Sequence, residues 1–327
     1  MSLWKGRRFM GRQWWDNAPT HGLLVLVAAI WGLGWVAGRV VALEIEPATA
    51  AWLRYSIACI CLFMYLFYRN GSRENTDLAT RMQLPVRGDL RRLLLIAFFS
   101  TLLYQLFFMT GMARTAAGDA SLIVTLNPVF TAILAVPMLG RRMTLRLAGG
   151  LAIGATGVAI VTGWSPNVDI PTATRIVGDV LIMFAAASWA TSTNLVKGLL
   201  EQQQNPSHRT QNPLSIIVWS SFFGWLMLSP FVGWELWYSG WTTPTIEIWL
   251  WIAFLAVFST VISYVWFAQG IDRIGPTASS TYVFLVPVFG IISGWAILGE
   301  RLGWSLAIGF VLILIGVRMA QIESVEK

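Results

Sequence analysis

Charged residues are scarce in this chain. Of its 327 residues only 12% are Asp, Glu, Lys or Arg, whereas soluble globular proteins carry about 25%. The hydrophobic share is 56%. This composition excludes a soluble domain and a disordered chain, and it favours a protein that crosses a membrane several times.

Cysteine is also rare, with only Cys59 and Cys61 in the chain. The two lie in an apolar segment, and residues two apart on a helix point in different directions. A disulfide scaffold and a cysteine-based metal site are therefore excluded. No metal and no cofactor are expected.

The chain instead contains many long apolar runs. A membrane-spanning helix needs about 20 apolar residues, and ten segments are long enough. They are 22–42, 47–68, 93–112, 118–139, 145–163, 177–197, 214–234, 246–268, 276–298 and 303–321.

The basic residues predict the orientation. With a cytoplasmic N-terminus, 18 of the 23 Lys and Arg fall on the inner side, 3 on the outer side and 2 within helices. Such a bias is typical of bacterial-type cytoplasmic membrane proteins and places both termini in the cytoplasm. Because orientation accounts for the net charge of +7, the lipid bilayer is the expected partner and nucleic acid is not.

An internal duplication is visible. Shifting the chain by 159 residues lays 100–158 over 259–317 with 20 identical pairs among 59, and Trp31 matches Trp189 at a shift of 158. In the second helix of each half, alignment of Pro47 with Pro213 pairs Arg54 with Ser220. Because five helices are an odd number, the second copy enters the membrane from the opposite side, as in transporters that work by alternating access.

The fold class expected from these patterns is all-α. Ten transmembrane helices form two inverted five-helix repeats around a central cavity. The predicted segments are a cytoplasmic basic tail 1–21, a first repeat 22–163, an external linker 164–176, a second repeat 177–321 and a cytoplasmic tail 322–327.

Short motifs in both halves resemble the EamA-type ten-helix members of the drug/metabolite transporter superfamily. They are Ala29-Ile30-Trp31-Gly32, Trp52-Leu53-Arg54-Tyr55, and two Pro-Val-Phe segments, each followed by Leu-Gly-x-Arg. The resemblance implies a cavity lined by the first, third, fourth, sixth, eighth and ninth helices, and transport of small metabolites. The family's Glu after Leu-Gly is kept as Glu300 but is replaced by Arg141 in the first half.

Pro128 and Pro287 fall near the middle of matching helices. Proline removes a backbone hydrogen bond there and kinks the helix. The matched placement favours a hinge, and a purely structural kink is the alternative.

Aromatic and polar residues at mid-membrane depth are the candidate substrate site. Matched positions favour an aromatic wall over ordinary helix packing, and polar groups at this depth either join helices or line a hydrated path. The predicted set also includes the cation Arg54. Its members are Trp31, Trp35, Arg54, Tyr104, Gln105, Asn127, Trp189, Asn194, Tyr264 and Tyr282.

Arg39, Arg54 and Lys197 are the candidate functional cations. Arg39 and Lys197 are matched in the repeats and are predicted to lie near opposite mouths, where extension of the side chain toward water is the alternative. Arg54 lies about 10 Å deep at 1.5 Å per residue. It is expected to attract a substrate carboxylate or phosphate, unless it pairs with Glu44 or Glu46.

Titratable acids are absent from the middle of the predicted helices. Asp119 and Asp179 come closest, at helix ends, and both histidines lie outside the spans. A membrane-embedded enzyme lacks a convergent catalytic set and is not expected. The preferred function is a secondary transporter, an exporter or exchanger, for an amino acid-like zwitterion or anion. Efflux of lipophilic cations or drugs is the alternative, and the oligomeric state stays open.

Overall fold

The computed structural model describes residues 18–71, 82–85, 87–140, 142–167, 169–202 and 213–325. Most of the predicted basic tail, together with Arg141, lies outside these residues. The described part folds into ten helices: α1 Ala18–Glu44, α2 Pro47–Gly71, α3 Leu90–Met112, α4 Ala117–Leu139, α5 Leu145–Gly163, α6 Thr172–Gln202, α7 Pro213–Ser239, α8 Ile246–Ile274, α9 Pro276–Leu298 and α10 Trp304–Val325.

The helices match a membrane protein in length and composition. Nine of them, counted over the described residues, are long and apolar enough to cross a membrane, and α10 adds a shorter apolar stretch, Trp304–Met319. The predicted all-α class is therefore confirmed.

Helices α1 and α6 begin four and five residues before the apolar runs that predict them. Helix α6 begins at Thr172, before the predicted start at 177, so Asp179 lies about two turns inside the helix. Helix α1 begins at Ala18, so His21 belongs to its first turn, although it was expected to precede the helix. Hydropathy misses these turns because they contain polar residues, of which Thr20 and Arg175 are buried.

Helices α4 and α9 are interrupted at matching places. Helix α4 stops at Val124 and restarts at Asn127, and α9 passes through a 3-10 turn, Tyr282–Leu285, before its last segment. Pro128 and Pro287 each lie in the first turn of the restarted segment. In a first turn, the missing proline N–H is not needed, so the proline follows a break where a kink within a continuous helix was expected.

Helices α3 and α8 each contain a π-helical segment. These segments are Phe98–Leu103 and Phe254–Ile262, and they overlap under the shift of 159. A π segment widens the helix and leaves some carbonyl groups out of the regular bonding pattern. Neither segment is evident from the apolar runs.

Close glycine contacts join α5 to α10. A Cβ on Gly157 would lie 2.9 Å from the carbonyl oxygen of Gly309, and one on Gly316 would lie 2.5 Å from that of Gly150. Under the shift of 159, Gly157 corresponds to Gly316 and Gly150 corresponds to Gly309, so the two contacts are equivalent. The two equivalent helices therefore run antiparallel, as an inverted repeat requires.

Helices α2 and α7 exchange hydrogen bonds in the same reciprocal way. The indole N–H of Trp52 donates to Ser229 Oγ at 3.1 Å, and that of Trp225 donates to Ser56 Oγ at 2.8 Å. This exchange makes Trp52 equivalent to Trp225. The counterpart of Arg54 is then Met227, so the predicted pairing with Ser220 is wrong. Pro47 and Pro213 show only where the two helices begin, whereas the contacting Trp and Ser residues show how the helices pack.

The remaining packing places α1 and α6 at the centre. Helix α1 packs against α8 and α9, and α6 packs against α3 and α4. These are equivalent arrangements in the two halves. They bring together the six helices that the resemblance implies for the cavity.

The glycine contact at Gly316 gives a direct test of the packing. A methyl group there would force α5 and α10 apart, and overpacking of this kind costs about 1–3 kcal/mol. We expect Gly316→Ala to lower the melting temperature of the purified protein by several degrees. Gly163→Ala is the matched control because a Cβ there meets no atom within 4 Å. Equal melting of the two variants would contradict the contact.

Candidate functional site

A continuous row of aromatic rings runs between the central helices. We call it the aromatic row. Ring centroids of successive members lie 5.3 to 6.3 Å apart. In order, the members are Trp35, Phe108, Tyr104, Trp189, Tyr264, Trp31 and Phe267.

The structure thus brings five predicted site residues into one contact network. They are Trp31, Trp35, Tyr104, Trp189 and Tyr264. Two further members, Phe108 and Phe267, were not among the predicted residues. Their signal was available, since they match each other under the shift of 159.

The middle of the aromatic row keeps accessible surface. Trp31, Tyr104, Trp189 and Tyr264 are half-buried, whereas Trp35 and Phe108 are buried. The indole N–H of Trp31 donates to the carbonyl oxygen of Ser259 at 3.2 Å, within the π-helical segment of α8. The π segment therefore helps to orient a ring of the row.

Arg54 lies buried beside the aromatic row. It is 7% exposed, and its Nη2 donates to Thr260 Oγ1 at 2.9 Å. Its Nε has no hydrogen-bond partner. Its charge acts on the hydroxyl groups of Tyr104 and Tyr264. The guanidinium group is thus a buried cation with unused donors.

An acidic partner for Arg54 is not found among the described residues. Glu46, a predicted alternative partner, accepts a hydrogen bond from Ser239 Oγ at 3.0 Å instead. The aromatic ring of Tyr55 lies 5.8 Å from the guanidinium carbon. A pairing of Arg54 with Glu44 or Glu46 is therefore not what the structure contains.

The predicted amides divide into two groups. Gln105 donates to Tyr55 Oη at 3.4 Å, and its buried Oε1 has no partner. Asn127 lies at the α4 break, and its Oδ1 also has no partner. Asn194, in contrast, donates to the Thr131 carbonyl at 3.0 Å and ties α6 to α4.

Tyr282 lies apart from the aromatic row. Its hydroxyl group is 2.6 Å from His21 Nδ1, and the two rings stack with centroids 5.9 Å apart. This pair joins the start of α1 to α9. The structure therefore does not bring Tyr282 to the other candidates.

The two predicted mouth charges differ in setting. Arg39 donates to the carbonyl oxygens of Met112 and Thr115 and so holds the turn between α3 and α4. Lys197 is exposed, near the end of α6. Arg39 is thus engaged in packing, while Lys197 faces outward.

Glu300 seals the start of α4. Its two carboxylate oxygens accept hydrogen bonds from the amides of Ala117 and Gly118 at 2.6 and 2.9 Å. Burial raises the pKa of the Glu300 carboxyl, against the opposing effect of these amides and of Arg39. A carboxylate is favoured at a helix N-terminus because the free amides there carry partial positive charge.

The sequence predicts Asp119 and Asp179 near helix ends, and the structure shows in addition that both are covered by the surrounding protein. Asp119 and Asp179 are both 0% exposed, although each lies toward a helix end. Hydropathy could place them along the helices but could not show that neighbouring helices cover them. Over the described residues, no group of three or more His, Cys, Asp and Glu is placed to hold a metal ion.

The cap on α4 can be tested by Glu300→Gln. The amide keeps the size of the side chain but turns a donor toward one of the two backbone amides. Loss of a hydrogen bond to a charged group costs about 1.5–3 kcal/mol, so we expect a lower melting temperature. Glu247→Gln, at the exposed start of α8, is the control. If both variants melt like the wild type, the cap does not stabilise the fold.

Comparisons with known proteins agree with this architecture. A model of the EamA-like transporter family matches residues 19–163 and again 176–321. The uncharacterized transporter YyaM of Bacillus subtilis is 27% identical over 278 residues, which cover 84% of each chain. A protein of Escherichia coli K12 named a probable amino-acid metabolite efflux pump is 27% identical over 303 residues, covering 90% of this chain and 92% of its own.

A solved crystal structure shares the fold. It covers 92% of this chain and 98% of its own, with a TM-score of 0.58 at 15% identity. The family match in both halves, together with long apolar helices, identifies an integral membrane transporter rather than an enzyme. The chain belongs to the EamA-like transporter family.

Proposed function

We propose that this protein is a secondary transporter that carries an amino acid-like metabolite by alternating access, as an exporter or exchanger. The observation that carries the proposal is Arg54, a buried cation with unused donors beside half-buried aromatic rings. A zwitterion or small anion has the charge that such a group recognises.

Arg54 supplies the site for a substrate carboxylate. A guanidinium group has five N–H donors in a planar fork, and one hydrogen bond from this group to the protein is made, to Thr260. A buried charge is unfavourable unless it is paired. A carboxylate that enters between the rings would pair with the charge and use the remaining donors.

The surrounding groups suit the rest of an amino acid. The partly accessible faces of Trp31 and Trp189 can hold an ammonium group by cation–π attraction or pack against an apolar side chain. The unpartnered Oε1 of Gln105 and Oδ1 of Asn127 are acceptors for an ammonium group. The name of the Escherichia coli relative supports the same substrate class.

Alternating access is supported by the reciprocal packing of the halves. Helices α1 and α6 are equivalent and central, and each packs against a helix that is broken beside a proline. We propose that Pro128 and Pro287 mark hinges, that Arg39 and Lys197 lie at opposite mouths, and that both termini lie in the cytoplasm of a bacterial-type cell.

Efflux of lipophilic cations is a second candidate, favoured by the aromatic row alone. Aromatic faces attract organic cations. The buried charge of Arg54 acts against it, because a cation that enters the row would meet a like charge. A direct comparison of the two substrate classes therefore separates the candidates.

The test is counterflow of labelled phenylalanine in liposomes that contain the purified protein. We expect the wild type to exchange phenylalanine and Arg54→Gln to lose the exchange by about ten- to hundredfold, the equivalent of a charged hydrogen bond. Arg54→Lys should keep part of the activity because the charge remains.

The control for this test is Arg301→Gln. Arg301 is 58% exposed and pairs with Asp169 at 3.5 Å on the surface, so its loss should leave exchange unchanged. Undiminished exchange by folded Arg54→Gln would reject the carboxylate site. Tetraphenylphosphonium exchange that Arg54→Gln increases would favour the second candidate.

A further inference from the structure

A buried group of charges lies where α4 begins, at the end of the bundle that contains Glu300. We call it the acidic end. Asp119 and Asp179 are 0% exposed and Arg175 is 3% exposed. Glu300 and Arg39 complete the group, since Asp119 lies within electrostatic reach of Asp179, Glu300, Arg175 and Arg39.

Three carboxylate oxygens of the acidic end lack partners. Neither oxygen of Asp119 accepts a hydrogen bond of ordinary geometry, although the Ser165 hydroxyl lies close to this carboxylate, and Oδ2 of Asp179 makes none although Thr162 lies close. Arg175 Nε, Asn167 Nδ2 and Thr162 Oγ1 are buried nearby without partners. More than about 90% of buried polar groups in proteins are hydrogen-bonded. So many unsatisfied atoms around one carboxyl group indicate a site that takes up a ligand.

The two nearby guanidinium groups donate their hydrogen bonds elsewhere. Arg39 donates to the carbonyls of Met112 and Thr115, and Arg175 donates to those of Asn167 and Thr162 at 3.2 and 3.1 Å. Neither forms an ion pair with Asp119 or Asp179.

The balance of charge selects the ligand. Helix α1 contributes Arg39, α6 contributes Asp179 and Arg175, the α9–α10 connection contributes Glu300, and the facing turn of α5 contributes only the hydroxyl of Thr162. Three carboxylates against two guanidinium groups leave one negative charge. One proton makes the group neutral, whereas a metal ion would be repelled by the two guanidinium groups.

We propose that Asp119 binds a proton in the closed conformation of the acidic end, and that loss of this proton opens it. With Asp119 ionised, an unpaired charge would lie away from water, which is unfavourable. Separation of α4 from α6 would let water reach the carboxylates. The proton comes from and returns to water at this end.

The contacts connect this site to the transport path. Thr115 Oγ1 donates to Asp179 Oδ1, and a Cβ on Gly178 would lie 2.9 Å from atoms of Arg114 and Thr115. The α3–α4 turn thus rests directly on α6. From that turn the first segment of α4 runs past Asp119 to the break at Asn127 and packs against α1 and α6. Opening would therefore move a segment that contacts the two central helices.

Infrared spectroscopy of the reconstituted protein tests the proton site without any substrate. We expect a carboxylic-acid C=O band that disappears as pH rises and that is missing in Asp119→Asn. Asp169→Asn, which removes an acid whose side chain is 78% exposed, should keep the band. A wild type without a titrating band overturns the proposal, as does a band that survives in Asp119→Asn and is lost in Asp179→Asn.

Cysteine labelling tests the opening. Ser165, buried beside Asp119, is changed to Cys in a chain whose native cysteines are replaced. Ionisation of the thiol itself raises maleimide labelling with pH in every variant, so the readout is the labelling rate with Asp119 present divided by the rate in Asp119→Asn at the same pH. We expect this ratio to rise with pH, by up to about tenfold per pH unit for one proton. A ratio that does not change with pH while the infrared band titrates overturns the link to opening. Neither assay depends on the proposed substrate, so a failed phenylalanine exchange leaves both informative.

Discussion

Polar groups within a bilayer have no water to bond with, so the protein itself must satisfy them. This constraint explains how the two halves hold each other. Trp52 and Trp225 donate to serines across the interface between the halves, and Glu300 of the second half accepts from the first amides of α4. Each half completes the bonding of the other. The paired arrangement, with α1 and α6 at its centre, follows from that need.

The places where the halves differ are as informative as the places where they match. Arg54 faces the aromatic row from α2, and its packing counterpart in α7 is Met227. Asp119 corresponds in sequence to Ala278. The shared residues build the frame that the two halves have in common, whereas these two charges have no counterpart in the other half. Both proposed functional charges, for substrate and for proton, belong to the first half.

The sequence predicts the fold well because the length of apolar runs is a direct response to membrane thickness. Matched positions in the repeat also locate most of the aromatic row. Burial of a particular acid depends on which neighbour covers it, and that is a property of packing between distant segments. Asp179 shows this, since α6 begins in a polar turn that hydropathy leaves out. The register of α2 against α7 was missed for the same reason, as was the separate location of Tyr282.

The π-helical segments of α3 and α8 have a consequence for how such proteins diverge. Each segment holds one residue more per turn than an α-helix, so it is equivalent to a single inserted residue. Deletion of one residue from Phe98–Leu103 would restore regular helix and rotate every later side chain of α3 by about 100° about the helix axis. Tyr104 and Phe108 would then leave the row together. A gain or loss of one codon, without any substitution, is enough to give this lineage a different cavity wall.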